Sequence, residues 1–293
     1  MSFSPADSQV AALLRSCSNE GRWGEHDERG TLNFINSGTT LEAVRAVRTG
    51  EVVPLGRLLT PGGQDHPGSP VWLAVWSSSG HDALDTVTIS PHGFEVTHLD
   101  AVGHSFFEGA AYNGRRAEQL VDPAGLHCCD ISVMGGIVTR GVLLDVARAR
   151  GAETASGIGP DDLERAELLA GTRVRSGDAI FVRSFARGAP SGPGPDGRRP
   201  GLLAAAIPWL HDREVALYSG DCIEQLPGTD PRVPMPLHQI GHVAMGLAIL
   251  DNPDVDALRQ ACDRNRRAEF LLIAAPLPLS GATGSAVNPL AIF

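Results

Sequence analysis

The sequence predicts an α/β protein on three observations. Of its 293 residues, 42% are hydrophobic and 20% are charged, which is ordinary for a chain that buries a core. Short runs rich in Val, Ile and Leu alternate with segments in which apolar residues have helical spacing. Strand-like runs cluster early and helices come mainly in the second half, so a simple doubly wound sheet is not expected. Without internal repeats or long linkers, a single domain over 1–293 is predicted, with the Pro- and Gly-rich tract 188–201 as a flexible surface loop.

Five segments carry the signals of helices. In the first, Leu41, Val44 and Val47 have helical spacing, and Gly50 ends the pattern. The second begins with acidic residues, which a helix N-terminus favours, and the third is apolar almost all round, which predicts burial. The predicted helices span residues 40–49, 160–169, 202–211, 236–247 and 255–267.

Six short runs are rich in β-branched and aliphatic residues, which is typical of strands. The predicted strands span residues 71–75, 86–89, 142–146, 179–182, 214–218 and 270–275. Strands interleaved with helices in this way again favour the α/β class.

The charge balance excludes several classes of protein. With 24 basic and 34 acidic residues the net charge is −10, so neither nucleic acid nor an anionic membrane is an expected partner. The chain contains no lysine, which excludes Schiff-base lysine enzymes, pyridoxal-phosphate enzymes and P-loop nucleotidases. A small-molecule substrate is the partner that we expect.

The cysteines and the N-terminus indicate a cytoplasmic protein. Five cysteines, with no CxxC pair, argue against zinc ribbons, thioredoxin-like sites and a disulfide framework. No signal peptide pattern and no run of 18 apolar residues is present. The absence of GxGxxG after a strand, of GxSxG and of HExxH leaves the usual nicotinamide, α/β-hydrolase and zincin interpretations unsupported.

The most informative segment is the thirteen-residue window from His92 to His104, which contains three of the ten histidines. If the chain is extended there, the side chains of His98 and Asp100 project from one face, about 6.6 Å apart. An imidazole and a carboxylate at that spacing can converge on one metal ion. His104, past a turn at Gly103, is suited to donating and accepting protons. The plain alternative is that these side chains are hydrogen-bonding groups at a strand end.

The motif Thr97-His98-x-Asp100-Ala101-x-x-His104 resembles the second half of a family signature, His-x-Gly-Thr-His-x-Asp-x-Pro-x-His. The family is that of the kynurenine formamidase-like cyclases, which includes arylformamidases and isatin hydrolase. Blocks at 22–33, 141–146, 174–183, 236–252 and 275–289 resemble family segments in the same order. The resemblance implies a swivelling β/β/α architecture, with a mixed, partly barrel-like β core flanked by helices, and a homodimer or homotetramer.

The resemblance also implies roles for individual residues. In the family, the histidines and the aspartate of the signature bind a divalent ion, for which we expect Zn or Mn, and the last histidine transfers protons. Carried over, His98 and Asp100 are metal ligands and His104 is the general acid/base. His238, in the late histidine helix, is a further ligand, and Asp251 would be the acid of a second metal site.

One departure from the signature affects the metal site, because Phe94 stands where the family has its first histidine. His92 shares strand parity with His98, but six extended residues span about 20 Å, so only a bend at Pro91 or Gly93 would bring it in. Either the metal has been lost and the pocket works by acid/base chemistry alone, or one ion is retained. The ligands of that ion would be His92, His98, Asp100 and His238.

Two further residues carry weaker signals. His242 lies one helical turn after His238 and is predicted to be a hydrogen-bonded core residue, with a second metal ligand as the alternative. Asp221 follows a strand end, where α/β proteins form pockets, and is predicted to orient a ligand histidine.

Three functional hypotheses result. The first is a metal-dependent hydrolase of a non-peptide C–N or C–O acyl bond in a small cyclic or aromatic substrate, with His104 moving the proton. The second is a metal-independent cyclase or dehydratase of polyketide-like secondary metabolism. The third is a non-catalytic homologue, for which the missing first histidine is the only support.

Overall fold

The computed structural model describes residues 5–62, 68–78, 80–151, 157–185 and 197–293. Most of the predicted loop 188–201 lies outside the described residues, which include only its positions 197–201. Within the described ranges, no helix is long and apolar enough to cross a membrane.

Several helices of the described chain begin or end at residues that suit a helix terminus. The helices are α1 Pro5–Ser16, α2 Ser37–Arg45, α3 Ala117–Leu120, α4 Val146–Arg150, α5 Pro160–Ala170, α6 Ile207–Asp212 and α7 Val255–Asn265, with a π-helix over Leu237–Met245. Asn36 and Asp254 accept hydrogen bonds from backbone N–H groups in the first turns of α2 and α7. Gly171 ends α5 in the left-handed conformation.

Most of the strands are short. They are β1 Val52–Pro54, β2 Val71–Ser78, β3 Asp82–Ile89, β4 His98–Asp100, β5 Val121–Asp122, β6 Gly125–Leu126, β7 Ile137–Asp145, β8 Ala179–Arg183, β9 Leu217–Gly220, β10 Ala248–Asp251, β11 Glu269–Ala274, β12 Gly284–Ala286 and β13 Leu290–Ile292. Among the described residues, β2 pairs only with β3 and β5 only with β6, and the other nine strands form one sheet.

The large sheet has the order β1-β13-β11-β7-β8-β9-β10-β4-β12. Its centre, from β7 to β10, is parallel, and the strands on either side are antiparallel. Every residue of β8 is buried, as expected for a strand covered on both faces. Consecutive residues of β8, such as Phe181 and Val182, point to opposite faces and belong to two different hydrophobic clusters. The core therefore has one cluster on each face of the sheet.

This architecture confirms the predicted α/β class with a mixed, partly barrel-like sheet flanked by helices. Segment 202–211 is not one helix, because it begins as a 3-10 turn at Ala204–Ala206 and continues as α6. Pro208 lies in the first turn of α6, where its missing N–H breaks no helical hydrogen bond. Segment 236–247 forms the π-helix rather than an α-helix, a form that often marks functional sites.

Candidate functional site

Two short strands position the first residues of the site. β4 lies between β10 and β12 and pairs antiparallel with both. His98 and Asp100 on β4 are two residues apart and share one face, so that His98 Nε2 lies 3.4 Å from Asp100 Oδ1. Asp251 on β10 pairs in register with His98, and its Oδ2 lies 3.7 Å from His98 Nε2. The strand pair therefore sets an imidazole and two carboxylates side by side.

Four imidazoles surround Asp100. The nearest ring nitrogens of His92, His98, His238 and His242 lie 3.0, 3.4, 3.5 and 3.9 Å from its carboxylate oxygens. The carboxylate is fully buried, and neither oxygen has a hydrogen-bond partner among the described residues. Although burial opposes ionisation, the surrounding imidazoles hold the pKa of Asp100 well below its usual range. The site therefore centres on an ionised carboxylate with no aligned donor.

His92 reaches the site through the kind of bend that the sequence required. Gly93 has φ +117, a conformation that side chains rarely adopt. Asn252 fixes the bend, since its Nδ2 donates to the carbonyls of Gly93 and Val96 at 2.7 and 3.0 Å. Gly284 makes room for the ring, because a Cβ there would lie 2.7 Å from His92 Cε1. The role of His92 as a ligand stays a prediction, but its imidazole is beside Asp100.

Phe94 does not lie in the core and does not take the place beside Asp100. Its side chain is 52% exposed and lines the same cavity as His92. The guanidinium carbon of Arg199 lies 4.1 Å from the ring centroid. Phe94 is therefore part of the cavity wall on its open side.

Glu224 orients His238, which the sequence analysis did not foresee. Glu224 Oε1 accepts a hydrogen bond from His238 Nδ1 at 2.8 Å, and its Oε2 accepts from the backbone N–H groups of Leu237 and His238. This leaves His238 Nε2 facing Asp100 and Asp251, at 3.5 and 3.4 Å. Burial opposes protonation, but the Glu224 charge raises the pKa of His238 well above its usual value. A single glutamate in a loop gives no sequence signal for this role.

The predicted role of Asp221 is wrong. Its carboxylate accepts hydrogen bonds from the backbone N–H groups of Ser184 and Phe185, at 2.8 and 3.0 Å, and so holds a loop rather than a histidine. Burial raises the pKa of Asp221 to about 6, although these donors oppose the shift.

His242 is a core residue, as predicted, but the predicted hydrogen bond is absent among the described residues. The side chain is fully buried, and within the described structure neither ring nitrogen has a hydrogen-bond partner. Burial lowers the pKa of His242, so the ring is neutral at pH 7. The π-helix puts His238 and His242 four residues apart on the same side, with ring centroids 5.8 Å apart. Two histidines of one helix therefore face Asp100.

His104 lies beside the predicted ligands rather than among them. Its ring stacks on His92 with centroids 4.1 Å apart and an interplanar angle of 9°. Burial lowers the pKa of His104 to about 3, against the opposing charge of Asp100. The ring is therefore neutral at pH 7, and its function in proton transfer stays a prediction.

The cavity and the donor set fit a divalent metal ion. The cavity has a volume of about 170 Å³. His92, His98 and Asp100 form one group whose donor atoms lie within 4.8 Å of each other, and Asp100, His238 and Asp251 form another. Imidazole and carboxylate are ordinary ligands of Zn and Mn, and an ion would satisfy the unpartnered oxygens of Asp100. The donor residues therefore fit the divalent metal ion that the family resemblance implies.

Comparison with known proteins agrees with the fold. A family model described as a putative cyclase matches residues 23–225. No curated protein sequence matches the chain. The crystal structure of a novel cyclase is similar over 96% of this chain and 99% of its own, with a TM-score of 0.81 and 23% identity.

Two further solved structures are similar at lower scores. Isatin hydrolase A from Labrenzia aggregata, bound to benzyl benzoate, covers 88% of this chain and 99% of its own, with a TM-score of 0.61 and 21% identity. Isatin hydrolase A from Ralstonia solanacearum covers 88% of this chain and 97% of its own, with a TM-score of 0.57 and 20% identity. At these identities, the likeness shows the shared fold alone.

Proposed function

The chain belongs to the putative cyclase family, and on that premise we propose that it is a metal-dependent hydrolase. The proposed reaction cleaves a non-peptide C–N or C–O acyl bond, of the amide or lactone type, in a small cyclic or aromatic substrate. Two structural neighbours are named isatin hydrolases, which supports hydrolysis as the class of reaction.

The observation that carries the proposal is the environment of Asp100. A fully buried carboxylate with no hydrogen bond to either oxygen is costly and rare in native proteins. Three imidazole nitrogens approach it to between 3.0 and 3.5 Å. Of these rings, His98 and His238 are held by hydrogen bonds on their other nitrogens, to the Val96 carbonyl and to Glu224. In its neutral form, a ring held in this way presents the lone pair of its other nitrogen to a metal ion.

We assign one divalent ion, Zn or Mn, to this centre. Its proposed ligands are His92, His98, Asp100 and His238. Asp251 lies close to Asp100 and His238 and would be the acidic ligand of a second ion.

When bound, the ion supplies Lewis acidity to the acyl carbonyl and to water. The protein itself contributes a neutral base, because His104 stacks on His92 at the edge of the donor cluster. His104 takes the proton from water and then donates it to the leaving nitrogen or oxygen. Apolar side chains of Ile223, Leu226 and Met235 line the cavity and offer an apolar surface to a cyclic or aromatic substrate.

Elemental analysis of the purified protein tests the metal proposal. We expect roughly one Zn or Mn per chain in the wild type, and none in Asp100→Ala, because Asp100 lies between the other donors. Asp85→Ala is the matched control, since it removes an exposed carboxylate of β3 and leaves the site intact. This variant should keep its metal.

A wild-type preparation that retains full activity after complete chelation would contradict the proposal. That outcome would favour the metal-independent cyclase or dehydratase. Metal loss in Asp85→Ala would show instead that the assay reports folding.

The proposed partner is the small-molecule substrate, and the proposed assembly is a homodimer or homotetramer, as the family resemblance implies. Light scattering coupled to size-exclusion chromatography measures the assembly directly. A monomer at micromolar concentration would contradict it.

A further inference from the structure

Arg199 is a buried cation on the wall of the cavity. Its residue exposure is 7%, and it lines the cavity together with Asp100 and His104. The backbone of Arg199 is held by two hydrogen bonds with Leu226. Arg199 N–H donates to the Leu226 carbonyl at 2.7 Å, and Leu226 N–H donates to the Arg199 carbonyl at 3.1 Å. The guanidinium stacks over the ring of Phe94, with 4.1 Å from its carbon to the ring centroid. The side chain is therefore held in place at the cavity wall.

No carboxylate oxygen of the described residues lies within 4.0 Å of the Arg199 guanidinium. The carboxylates nearby are engaged elsewhere: Glu224 accepts hydrogen bonds from His238 and the backbone, and Asp251 faces His98 and His238. Cys222 is no anion either, because burial raises the pKa of its thiol to about 12.

A buried guanidinium without an anion is unfavourable, and it gains most from a ligand that brings a negative charge. Its planar fork of N–H groups matches a carboxylate, which can accept two parallel hydrogen bonds. The surrounding acidic residues and the net charge of −10 would otherwise repel an anion. A cation at this wall would therefore favour the entry of an anion.

We propose that Arg199 binds the carboxylate group of an anionic substrate, and that Phe94 holds the guanidinium ready for it. The inference deepens the proposed function, on which it rests, by naming the substrate class: a small carboxylic acid whose scissile acyl group faces Asp100 and His104. The residue that replaces the first histidine of the signature thus forms one side of the substrate site.

Calorimetric titration with two carboxylates and their neutral amides tests this proposal. The probes are acetate and benzoate, compared with acetamide and benzamide, on metal-loaded and on chelated protein. We expect at least one carboxylate to bind the wild type about tenfold or more tightly than its amide. Arg199→Gln should weaken carboxylate binding by roughly 10- to 100-fold, as expected for a lost charge-assisted hydrogen bond, and leave amide binding unchanged.

Two variants control for folding and for general charge. Arg199→Lys keeps the charge but loses the planar fork, so it should recover only part of the carboxylate affinity. Arg198→Gln removes an exposed arginine one residue earlier and should bind carboxylates as the wild type does. Thermal unfolding shows whether each variant is folded, and the comparison of acid with amide on the wild type needs no variant.

Three results would overturn the proposal. These are equal affinities for acid and amide on the wild type, no binding of either carboxylate, or carboxylate binding that is unchanged in folded Arg199→Gln. In the last case, binding that disappears on chelation would mean that the ion alone holds the carboxylate, and the metal proposal would stand. If the protein holds no metal, the Arg199 dependence should persist in untreated and chelated protein alike.

Discussion

Replacing Glu224 with Gln should weaken metal binding while leaving all the proposed ligands in place. Glu224 is 3% exposed, and its two oxygens accept hydrogen bonds from His238 Nδ1 and from the backbone N–H groups of Leu237 and His238. A glutamine can accept at one oxygen only. If its NH₂ group faces His238, Nδ1 must become the acceptor, and the ring proton moves to Nε2, the atom that faces Asp100 and Asp251.

If the amide turns the other way, its NH₂ group faces the two backbone N–H groups and leaves them without an acceptor at the start of the π-helix. Either orientation disturbs the ring that is meant to bind the ion. Losing such a partner of a ligand histidine typically costs about 10- to 100-fold in metal affinity, or about 1.4 to 2.7 kcal/mol.

Competition with a chelator of known affinity measures this effect on Zn or Mn binding. Asp221→Asn is the matched control, because Asp221 is a buried carboxylate that accepts from the backbone of Ser184 and Phe185 instead of from a histidine. It should lower the free energy of unfolding by about 1 to 3 kcal/mol but leave metal affinity unchanged. Equal metal affinity in Glu224→Gln and the wild type would refute the reasoning, as would an equal loss in Asp221→Asn.

The remaining predictions concern His104 and Phe94. His104→Ala should lower turnover by about 10²- to 10⁴-fold and leave the metal content near normal, because the ring lies beside the ligands. Unchanged turnover would remove His104 from the mechanism. Loss of metal would show that His104 is a ligand. Phe94→His should leave the metal content unchanged, because His92 already lies 3.0 Å from Asp100, and should alter thermal unfolding little, because the Phe94 ring is 52% exposed. Additional bound metal in this variant would show that Phe94 occupies a ligand position after all.

Two of the strands that were predicted correctly share one physical property. The central strands β7 and β8 are buried on both faces, so they read as continuous apolar runs that a sequence displays directly. Strands β4 and β12 have three residues each, too few for a periodic pattern, and they form because neighbouring strands provide their hydrogen bonds. The strand that carries the site was therefore among the hardest to predict from apolar pattern alone.

One wrong prediction and one missed residue at the site have a common cause. Asp221 and Glu224 are three residues apart in the chain. Nothing in the sequence distinguishes which of the two carboxylates contacts a histidine. Asp221 instead holds the backbone after β8, and Glu224 meets His238 fourteen residues later in the chain. Hydrogen bonds between segments that are distant in sequence leave no local pattern.

The sequence by itself determined the α/β class, because apolar strands and helical patterns alternate along the chain. It also determined the shared face of His98 and Asp100 and the candidate proton-transfer group, because both depend on spacing within one segment. Only the tertiary structure decided that His92 reaches Asp100, since this needs the φ of +117 at Gly93 and the hydrogen bonds that Asn252 donates across the sheet. It also decided that Arg199 lies against Phe94 on the cavity wall. Spacing fixes which side chains share an element, whereas convergence of different elements depends on packing of the whole chain.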